Sequence, residues 1–174
     1  MQNSDLKLIR LNLTNLAELV EISTITYADS FSSGNTFENM QHYIDNSLNS
    51  EKLQLELAEN DSEFYFAKLN NQTLGYIKFN FATAQTELKE VNGMELERIY
   101  VLKKFQGQKI GKKLLDFTIK TAKERNLEYV WLGVWDKNRK AIDFYKRNGF
   151  KIIGTHPFNM GNETQTDFIM KRTV

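Results

Sequence analysis

The 174-residue sequence contains no cysteine and only two histidines, His42 and His156. The absence of cysteine excludes disulfide bonds, zinc sites with thiolate ligands and a cysteine nucleophile. Two histidines are too few for a histidine metal cluster, so we expect no metal site. Both histidines are expected to be surface or structural residues, with His156 in a loop before Pro157.

Long apolar runs and an excess of charge of one sign are also missing. No apolar run approaches the roughly 20 residues that span a bilayer, and the polar residues 1–5 lack the apolar core of a signal peptide. The 23 basic and 22 acidic residues leave a formal net charge of +1, whereas general nucleic-acid binders normally carry a basic excess. We therefore expect a cytoplasmic protein with no membrane and no nucleic-acid partner.

Proline is rare too, with one proline against nine glycines, which indicates a chain built mostly of regular elements. At about 100–200 residues per domain, residues 1–174 are expected to form a single domain. Hydrophobic periodicity predicts the order of its helices and strands. The predicted strands lie at residues 6–11, 64–69, 74–81, 94–102, 129–134, 150–155 and 167–171.

The predicted helices fill the gaps between these strands. Three short helices are expected after the capping residues Thr14 or Asn15, Asn35 and Ser50. A long helix opens within residues 106–111 and reaches about residue 125, and another covers residues 140–147. The polar residues 70–73 read as a hairpin turn, and Gly161 and Asn162 are expected in the last connection.

This order of elements predicts an α/β (α+β) fold with three layers, in which helices cover both faces of a mixed sheet of about seven strands. The strand–helix–strand crossover over residues 94–134 is expected to make its two strands parallel. Ligands of such sheets bind near the carboxyl ends of strands. The turn after the strand at 94–102 is therefore the first place to look for a site.

Residues 96–115 carry the strongest chemical signal, because a strand there runs into a turn with Gly107 and Gly111 and then into a helix. The unpaired N–H groups and the dipole of a helix N-terminus attract anions, and Lys109 and Lys112 add positive charge. The segment is neither a Walker A loop nor a dinucleotide-binding fingerprint. It indicates either a pyrophosphate cradle or glycines that serve only turn geometry and close packing.

Two motifs in this half of the chain resemble those of the GNAT superfamily of acetyl-CoA-dependent N-acetyltransferases. Residues 106–111, Gln-Gly-Gln-Lys-Ile-Gly, are similar to its motif A, Gln/Arg-x-x-Gly-x-Gly/Ala, except that Lys109 stands where the family usually has glycine. Residues 138–150 resemble its motif B, Asn-x-x-Ala-x-x-Phe-Tyr-x-x-x-Gly-Phe. The resemblance implies a GNAT-like fold whose middle strands splay apart to admit the pantetheine arm of acetyl-CoA.

Three further segments, at residues 36–40, 131–136 and 160–167, are similar to the PaiA-type spermidine/spermine acetyltransferases of low-GC bacteria. This resemblance implies transfer of an acetyl group to the primary amine of a small polyamine, by direct attack in a ternary complex. The alternatives are a protein N-terminal or lysine acetyltransferase and a non-catalytic CoA-binding regulator. Helices over residues 14–59 would cover a small acceptor, which favours the small amine. Paired dimers are common in this superfamily, so a homodimer is compatible with the resemblance.

The family mechanism implies a base and a proton donor, and three residues are candidates for these two roles. An alkyl ammonium with a pKa of about 10 must lose its proton, which a carboxylate can accept; Glu95 lies where histone-type members carry this base. Glu97 is the alternative, because it shares the face of Glu95 in a regular strand, although a bulge would change that. Tyr145 matches the motif tyrosine that protonates the leaving thiolate, or else it only packs against Phe144.

The resemblance also implies which residues bind the two ligands. The residues expected to bind acetyl-CoA, several of them through the main chain, are Ile99, Tyr100, Val101, Gln106, Gly107, Gln108, Lys109, Ile110, Gly111, Lys112, Asn138 and Tyr145. Polyamines are cations, so acidic and aromatic side chains are expected around the acceptor amine. The candidates are Tyr27, Asp29, Phe31, Glu38, Trp135 and Asp136, although most acidic residues are merely solvated.

Overall fold

The computed structural model describes residues 6–32, 34–160 and 163–174. The polar N-terminal residues 1–5 and the predicted connection at Gly161 and Asn162 lie outside the described residues. The strands of the described part are β1 (Lys7–Arg10), β2 (Ser62–Leu69), β3 (Gln72–Phe81), β4 (Gly93–Val101), β5 (Tyr129–Trp135), β6 (Lys151–Met160) and β7 (Glu163–Thr173). Its α-helices are α1 (Leu16–Phe31), α2 (Phe37–Ser47), α3 (Ser50–Ala58), α4 (Ile110–Glu124) and α5 (Arg139–Arg147).

The strands form one seven-stranded mixed sheet in the order β1-β2-β3-β4-β5-β7-β6. The β4 and β5 strands are parallel and are joined through α4, whereas the other neighbouring strands run antiparallel. This pattern confirms the predicted mixed sheet and its crossover. No helix in the described ranges is both long and apolar enough to cross a membrane.

The two middle strands separate soon after they begin. In the described sheet, β4 and β5 pair only where Gly93, Met94 and Glu95 lie beside residues 129–131. Beyond that point the two strands diverge, as the family resemblance implied, and a cleft opens between their carboxyl-terminal halves. The main-chain groups at that edge of β4 are therefore not used by β5.

Helices cover both faces of the sheet and bury its apolar side chains. The inner face of α4, with Ile110, Leu114 and Ile119, packs together with α5 on one face. Helices α1 and α3 cover the other face, where Leu19 and Leu53 are fully buried. The apolar spacing of α4 therefore predicted its buried side correctly.

Local boundaries differ from the predictions where two neighbouring residues can both cap a helix. Thr36, not Asn35, caps α2, and Asn49, not Ser50, caps α3. Both predicted caps are wrong by one residue, because Asn, Ser and Thr are all good caps and only the backbone geometry selects among them. The hairpin turn is also shorter than predicted, since residues 70–71 alone have positive φ angles and β3 begins at Gln72.

The β6 strand is longer than predicted and changes the place of His156. This residue lies within β6 and pairs with Asp167 of β7, so its prediction as a loop residue is wrong. Pro157 follows it without ending the strand. Because β6 is at the edge of the sheet, a proline there removes no ladder hydrogen bond on its open side.

Candidate active site

A cleft of about 430 Å³ occupies the gap between β4 and β5. Its walls combine residues of α1, α2, the four strands β4–β7 and α5, so distant parts of the chain meet there. Of the residues predicted from the sequence, those that line the cleft are Tyr27, Phe31, Glu95, Glu97, Ile99, Tyr100, Val101, Gln106, Trp135, Asn138 and Tyr145. The sheet thus brings predicted catalytic, cofactor-binding and substrate-binding residues to one place.

Glu95 lies at the point where the strands separate, and its side chain is buried. Its carboxylate accepts hydrogen bonds from the Thr86 N–H at 2.8 Å, the Thr86 hydroxyl at 2.6 Å and the Asn80 amide at 3.0 Å. Burial and the nearby negative charge of Glu97 raise the pKa of Glu95, and these hydrogen bonds offset the rise only in part. Glu95 is therefore a carboxylate that readily takes up a proton.

A β-bulge in β4 falls at Glu97. Phe79 pairs with Leu96 and Lys78 pairs with Arg98, so Glu97 is the extra residue on β4. Despite the bulge, Glu97 stays on the same side as Glu95, where the Asn80 amide donates to both carboxylates. The two carboxylates are thus held close together.

Glu97 is also part of an ion cluster at the base of α3. Its carboxylate lies 2.6 Å from the Lys78 Nζ and 3.1 Å from a guanidinium nitrogen of Arg98. Glu56 of α3 lies 3.1 Å from the same lysine and accepts two hydrogen bonds from Arg98. Burial alone would raise the pKa of Glu97, but the charges of Arg98 and Lys78 outweigh it and hold that pKa below its usual range.

Glu95 and Glu97 therefore differ in protonation behaviour although they face the same cleft. One carboxyl binds a proton more tightly than usual, and the other is held as an anion. Such divergence between adjacent acids is the arrangement that assigns an acid–base role to one of them. The geometry favours Glu95 over Glu97 for exchanging a proton with an acceptor amine.

Tyr145 reaches the cleft from α5, which packs on the face of the sheet opposite to α1 and α3. Its ring contacts Phe144 and Phe150 at centroid distances of 5.4 and 5.7 Å, and the residue is 7% exposed. Burial raises the pKa of the Tyr145 hydroxyl. This hydroxyl stays protonated at neutral pH and can act as a hydrogen-bond donor in the cleft. Tyr145 therefore packs against neighbouring aromatic rings and also lines the cleft.

The turn before α4 has the geometry of an anion site. Gly107 and Lys109 both have positive φ, at 78° and 62°. The first hydrogen bond of α4 runs from the Lys113 N–H to the Lys109 carbonyl at 3.1 Å, so the preceding N–H groups of the first turn are not used inside the helix. A Cβ added to Gly107 or Gly111 would meet no atom within 4 Å, so the space beside both glycines is open.

Lys109 shows why glycine suits that position. A left-handed backbone conformation costs a residue with a side chain about 1–2 kcal/mol, and glycine avoids most of this cost. The other side chains here connect the turn with its surroundings. Gln106 donates to the Val101 carbonyl at 3.2 Å and accepts from Lys140 of α5 at 3.1 Å, and Lys112 forms an ion pair with Asp116. Ile110 is buried in the core, so only its main chain can face a ligand.

Asn138 is the N-cap residue of α5. Its side-chain oxygen accepts a hydrogen bond from the Ala141 N–H at 3.1 Å, which caps the helix. The same residue lines the cleft. The cap and a contact to a ligand are therefore compatible.

Three of the predicted acceptor residues lie away from the cleft walls. Asp29 and Glu38 are exposed and do not line the cleft, because they lie on the outward sides of α1 and α2. Asp136 is half-buried just after β5, and among the described residues its Oδ1 atom has no hydrogen-bond partner. The structure instead adds Asp167 and His156 to the walls.

Several residues that shape the site carried no signal in the sequence. Thr86 lies in a polar connection, and Asn80 and Lys78 lie in a strand that reads as half-buried. Tyr43 stacks on Tyr27 at a centroid distance of 4.4 Å inside the cleft wall. Only knowledge of the β3–β4 register and of the path of the 82–92 connection could have found them.

Comparison with known proteins agrees with this geometry. The model of the acetyltransferase (GNAT) family matches residues 20–150. A protein described as an uncharacterized N-acetyltransferase in the pepI 3' region of Lactobacillus delbrueckii subsp. lactis is 36% identical over 168 residues, which are 97% of this chain and 97% of that protein. The spermidine N(1)-acetyltransferase of Thermoplasma acidophilum is 27% identical over 168 residues, 94% of each chain.

A solved structure shows the same fold with its cofactor. The PaiA N-acetyltransferase of Thermoplasma acidophilum, in complex with coenzyme A, has a TM-score of 0.81 and 25% identity, covering 98% of this chain and 99% of that chain. The resemblance inferred from the two sequence motifs is thereby confirmed, and acetyl-CoA is the cofactor. The chain belongs to the GNAT family and is an acetyl-CoA-dependent N-acetyltransferase.

Proposed function

We propose that the acceptor is the primary amine of a small polyamine of the spermidine or spermine type. The observation that carries this proposal is the chemistry of the cleft walls. Four carboxylates line the cleft, from Glu87, Glu95, Glu97 and Asp167, and aromatic rings of α1, α2 and β6 lie among them. Carboxylates and ring faces both attract organic cations, and a relative that acts on spermidine supports the choice.

Glu95 is the proposed base. An amine with a pKa of about 10 arrives as an ammonium ion and must lose a proton before it can attack. The buried Glu95 carboxylate, with its raised pKa, accepts that proton directly or through water. Thr86 and Asn80 hold the carboxylate in place, so its orientation is set before the amine arrives.

Tyr145 is the proposed proton donor at the other end of the reaction. Acetyl-CoA supplies the acetyl group as a thioester, and the departing sulfur gains negative charge. The Tyr145 hydroxyl, protonated because burial raises its pKa, donates a hydrogen bond to that sulfur. The chain contains no cysteine, which excludes an acetyl-cysteine enzyme intermediate and supports direct transfer between two bound ligands.

The cofactor is proposed to bind along β4 and the first turn of α4. The main chain of β4 after Glu95 is not paired with β5 and can bind an extended amide chain as a strand would. The residues from Gln106 to Lys112 would hold the pyrophosphate through N–H groups, the helix dipole and lysine charge. Asn138 and Tyr145 would contact the cofactor from α5.

Thiol release from acetyl-CoA, followed with a thiol-reactive dye, tests the proposed acceptor. Because the protein has no cysteine, it adds no thiol signal of its own. The panel contains spermidine, spermine, putrescine, lysine, an aminoglycoside and a short peptide. We expect turnover with the polyamines, and turnover with the peptide alone would show that the acceptor is instead a protein. The Glu95→Gln variant is the matched control for enzyme-dependent release.

A further inference from the structure

Among the residues that the structure describes, no hydrogen-bond partner reaches the Asp167 carboxylate in the cleft. Its side chain is only 17% exposed, and its neighbour on β6, His156, brings Nε2 no closer than 4.0 Å. That distance is too long for a hydrogen bond, and within the described ranges Asp167 has no closer polar partner. A mostly buried carboxylate in this state is costly unless a cation or donor joins it.

The other carboxylates of the cleft already have partners. Glu95 is held by Thr86 and Asn80, and Glu97 is paired with two cations. Glu87 is 43% exposed and lies 3.4 Å from the Nδ1 atom of His156. Asp167 is therefore the wall carboxylate best able to bind a positive charge brought by a ligand.

The cleft floor has space for a ligand beside Asp167. Gly133 lies on the cleft-facing side of β5, between Trp131 and Trp135, and lines the cleft. A Cβ on Gly133 would lie 3.3 Å from the His156 Nε2 and 3.7 Å from the Asp167 Oδ2. A glycine at this point leaves open the space that a side chain would fill.

Gly133, whose Cβ position lies 3.7 Å from the Asp167 Oδ2, connects Asp167 with Glu95. Glu95 pairs with Trp131, and Gly133 lies two residues further along β5. Strand geometry therefore places the Cα atoms of Glu95 and Gly133 about 8 Å apart. Tyr43 and Phe158, with ring centroids 5.9 Å apart, form an aromatic wall of the same cleft. An amine at Glu95 and a second cationic nitrogen at Asp167 fit one molecule.

We propose that Asp167, next to His156, binds a second cationic nitrogen of the acceptor and thereby selects diamines and polyamines over monoamines. This inference rests on the proposed function, because it assumes that an amine is acetylated beside Glu95. Burial raises the pKa of Asp167; His156 lowers it in part, and Asp136 raises it again. A bound ammonium favours the ionised form of Asp167, which burial disfavours.

Putrescine and n-butylamine form the matched substrate pair for the test, because they share a four-carbon chain and differ in the second amine. We expect the wild-type enzyme to use putrescine with a kcat/KM about 10- to 100-fold higher, the value of a hydrogen bond to a charged partner. In Asp167→Asn, the preference should fall to nearly one, through a higher KM for putrescine. Its kcat/KM for butylamine, which lacks the second amine, should fall far less than its kcat/KM for putrescine, and a thermal melt shows whether the variant is folded.

Two control variants complete the experiment. Asp167→Glu keeps the charge and should retain most of the preference, and Asp143→Asn removes an exposed carboxylate of α5 and should retain all of it. A wild-type enzyme that uses both amines equally, or an Asp167→Asn variant that keeps the preference, overturns the role of Asp167 while leaving amine acetylation intact. If wild type acetylates only the peptide, the proposed function fails, and this inference fails with it.

Discussion

Replacing Glu95 and Glu97 separately with glutamine tests which carboxylate is the base. The two residues face one cleft and share the Asn80 amide. Their surroundings differ, however, since Glu95 is held by neutral donors and Glu97 by two cations. We expect the first substitution to affect the reaction and the second to affect the stability of the fold.

The expected loss of stability in Glu97→Gln follows from the ion cluster. Removing Glu97 leaves two cations, Lys78 and Arg98, with Glu56 as the one anion among the described members of the cluster. Breaking a buried ion pair costs about 3–5 kcal/mol, and the lower value applies because Glu56 remains. At about 2–4 °C per kcal/mol for a chain of this size, the Tm should fall by about 6–12 °C.

Glu95→Gln should leave stability nearly unchanged. Because the folded state raises the pKa of Glu95, the ionised carboxylate destabilises the fold. This cost grows as pH rises above the ordinary glutamate pKa of about 4.3. The neutral glutamine avoids that cost at neutral pH, and the loss of one accepted hydrogen bond costs about 1 kcal/mol. The rate should instead fall by about 10²–10⁴-fold, which is the usual contribution of a general base.

Thermal melts and steady-state kcat values of the two variants, measured side by side at neutral pH, check both expectations. The wild-type enzyme with saturating acetyl-CoA and spermidine is the reference. A fully active Glu95→Gln variant would refute the assignment of the base. A Glu97→Gln variant with an unchanged Tm would refute the energetic role of the ion cluster.

Three further substitutions test other parts of the site. Tyr145→Phe should lower kcat by about 10- to 100-fold, which is the contribution of a hydrogen bond to a charged group. The Kd for acetyl-CoA, measured by calorimetry, should not change. An unchanged kcat would exclude the role of Tyr145 as proton donor. Lys109→Gly should relieve the strain of the left-handed backbone at this position, a net gain of about 0.5–1 kcal/mol. Tm should then rise by about 1–4 °C, whereas a lower Tm would show that Lys109 is not strained. Asn80→Asp places a third carboxylate beside Glu95 and Glu97, so the pKa of Glu95 should rise further, and the acid limb of the pH–kcat/KM profile should move to higher pH.

The sequence predicted those features that depend on local patterns. Apolar spacing located α4 and its buried face, and segments rich in aromatic and β-branched residues located β2 and β3. The short segment between β4 and α4 indicated the turn now proposed to bind the cofactor, because glycine and lysine at a helix N-terminus favour anion binding. Elements with strong periodicity could therefore be read without knowing their neighbours.

The remaining features depend on which strands and loops become neighbours. The bulge at Glu97 exists only relative to the β3 register, and it allows Arg98 to join Glu97 on one side of the sheet. Thr86 lies in a connection without periodicity, and only the fold brings it to Glu95. Pro157 suggested a loop around His156, but the edge position of β6 permits a strand.

The early separation of β4 and β5 has a consequence for how long the protein survives in a cell. A ligand that binds the folded state alone stabilises it by RT ln(1 + [L]/Kd), which is about 2.7 kcal/mol when the ligand is at 100 times its Kd. A cofactor that pairs with the free edge of β4 would also suppress local opening at the weakest seam of the sheet. We expect saturating acetyl-CoA to slow proteolysis of the protein, because cleavage depends on the population of opened chains.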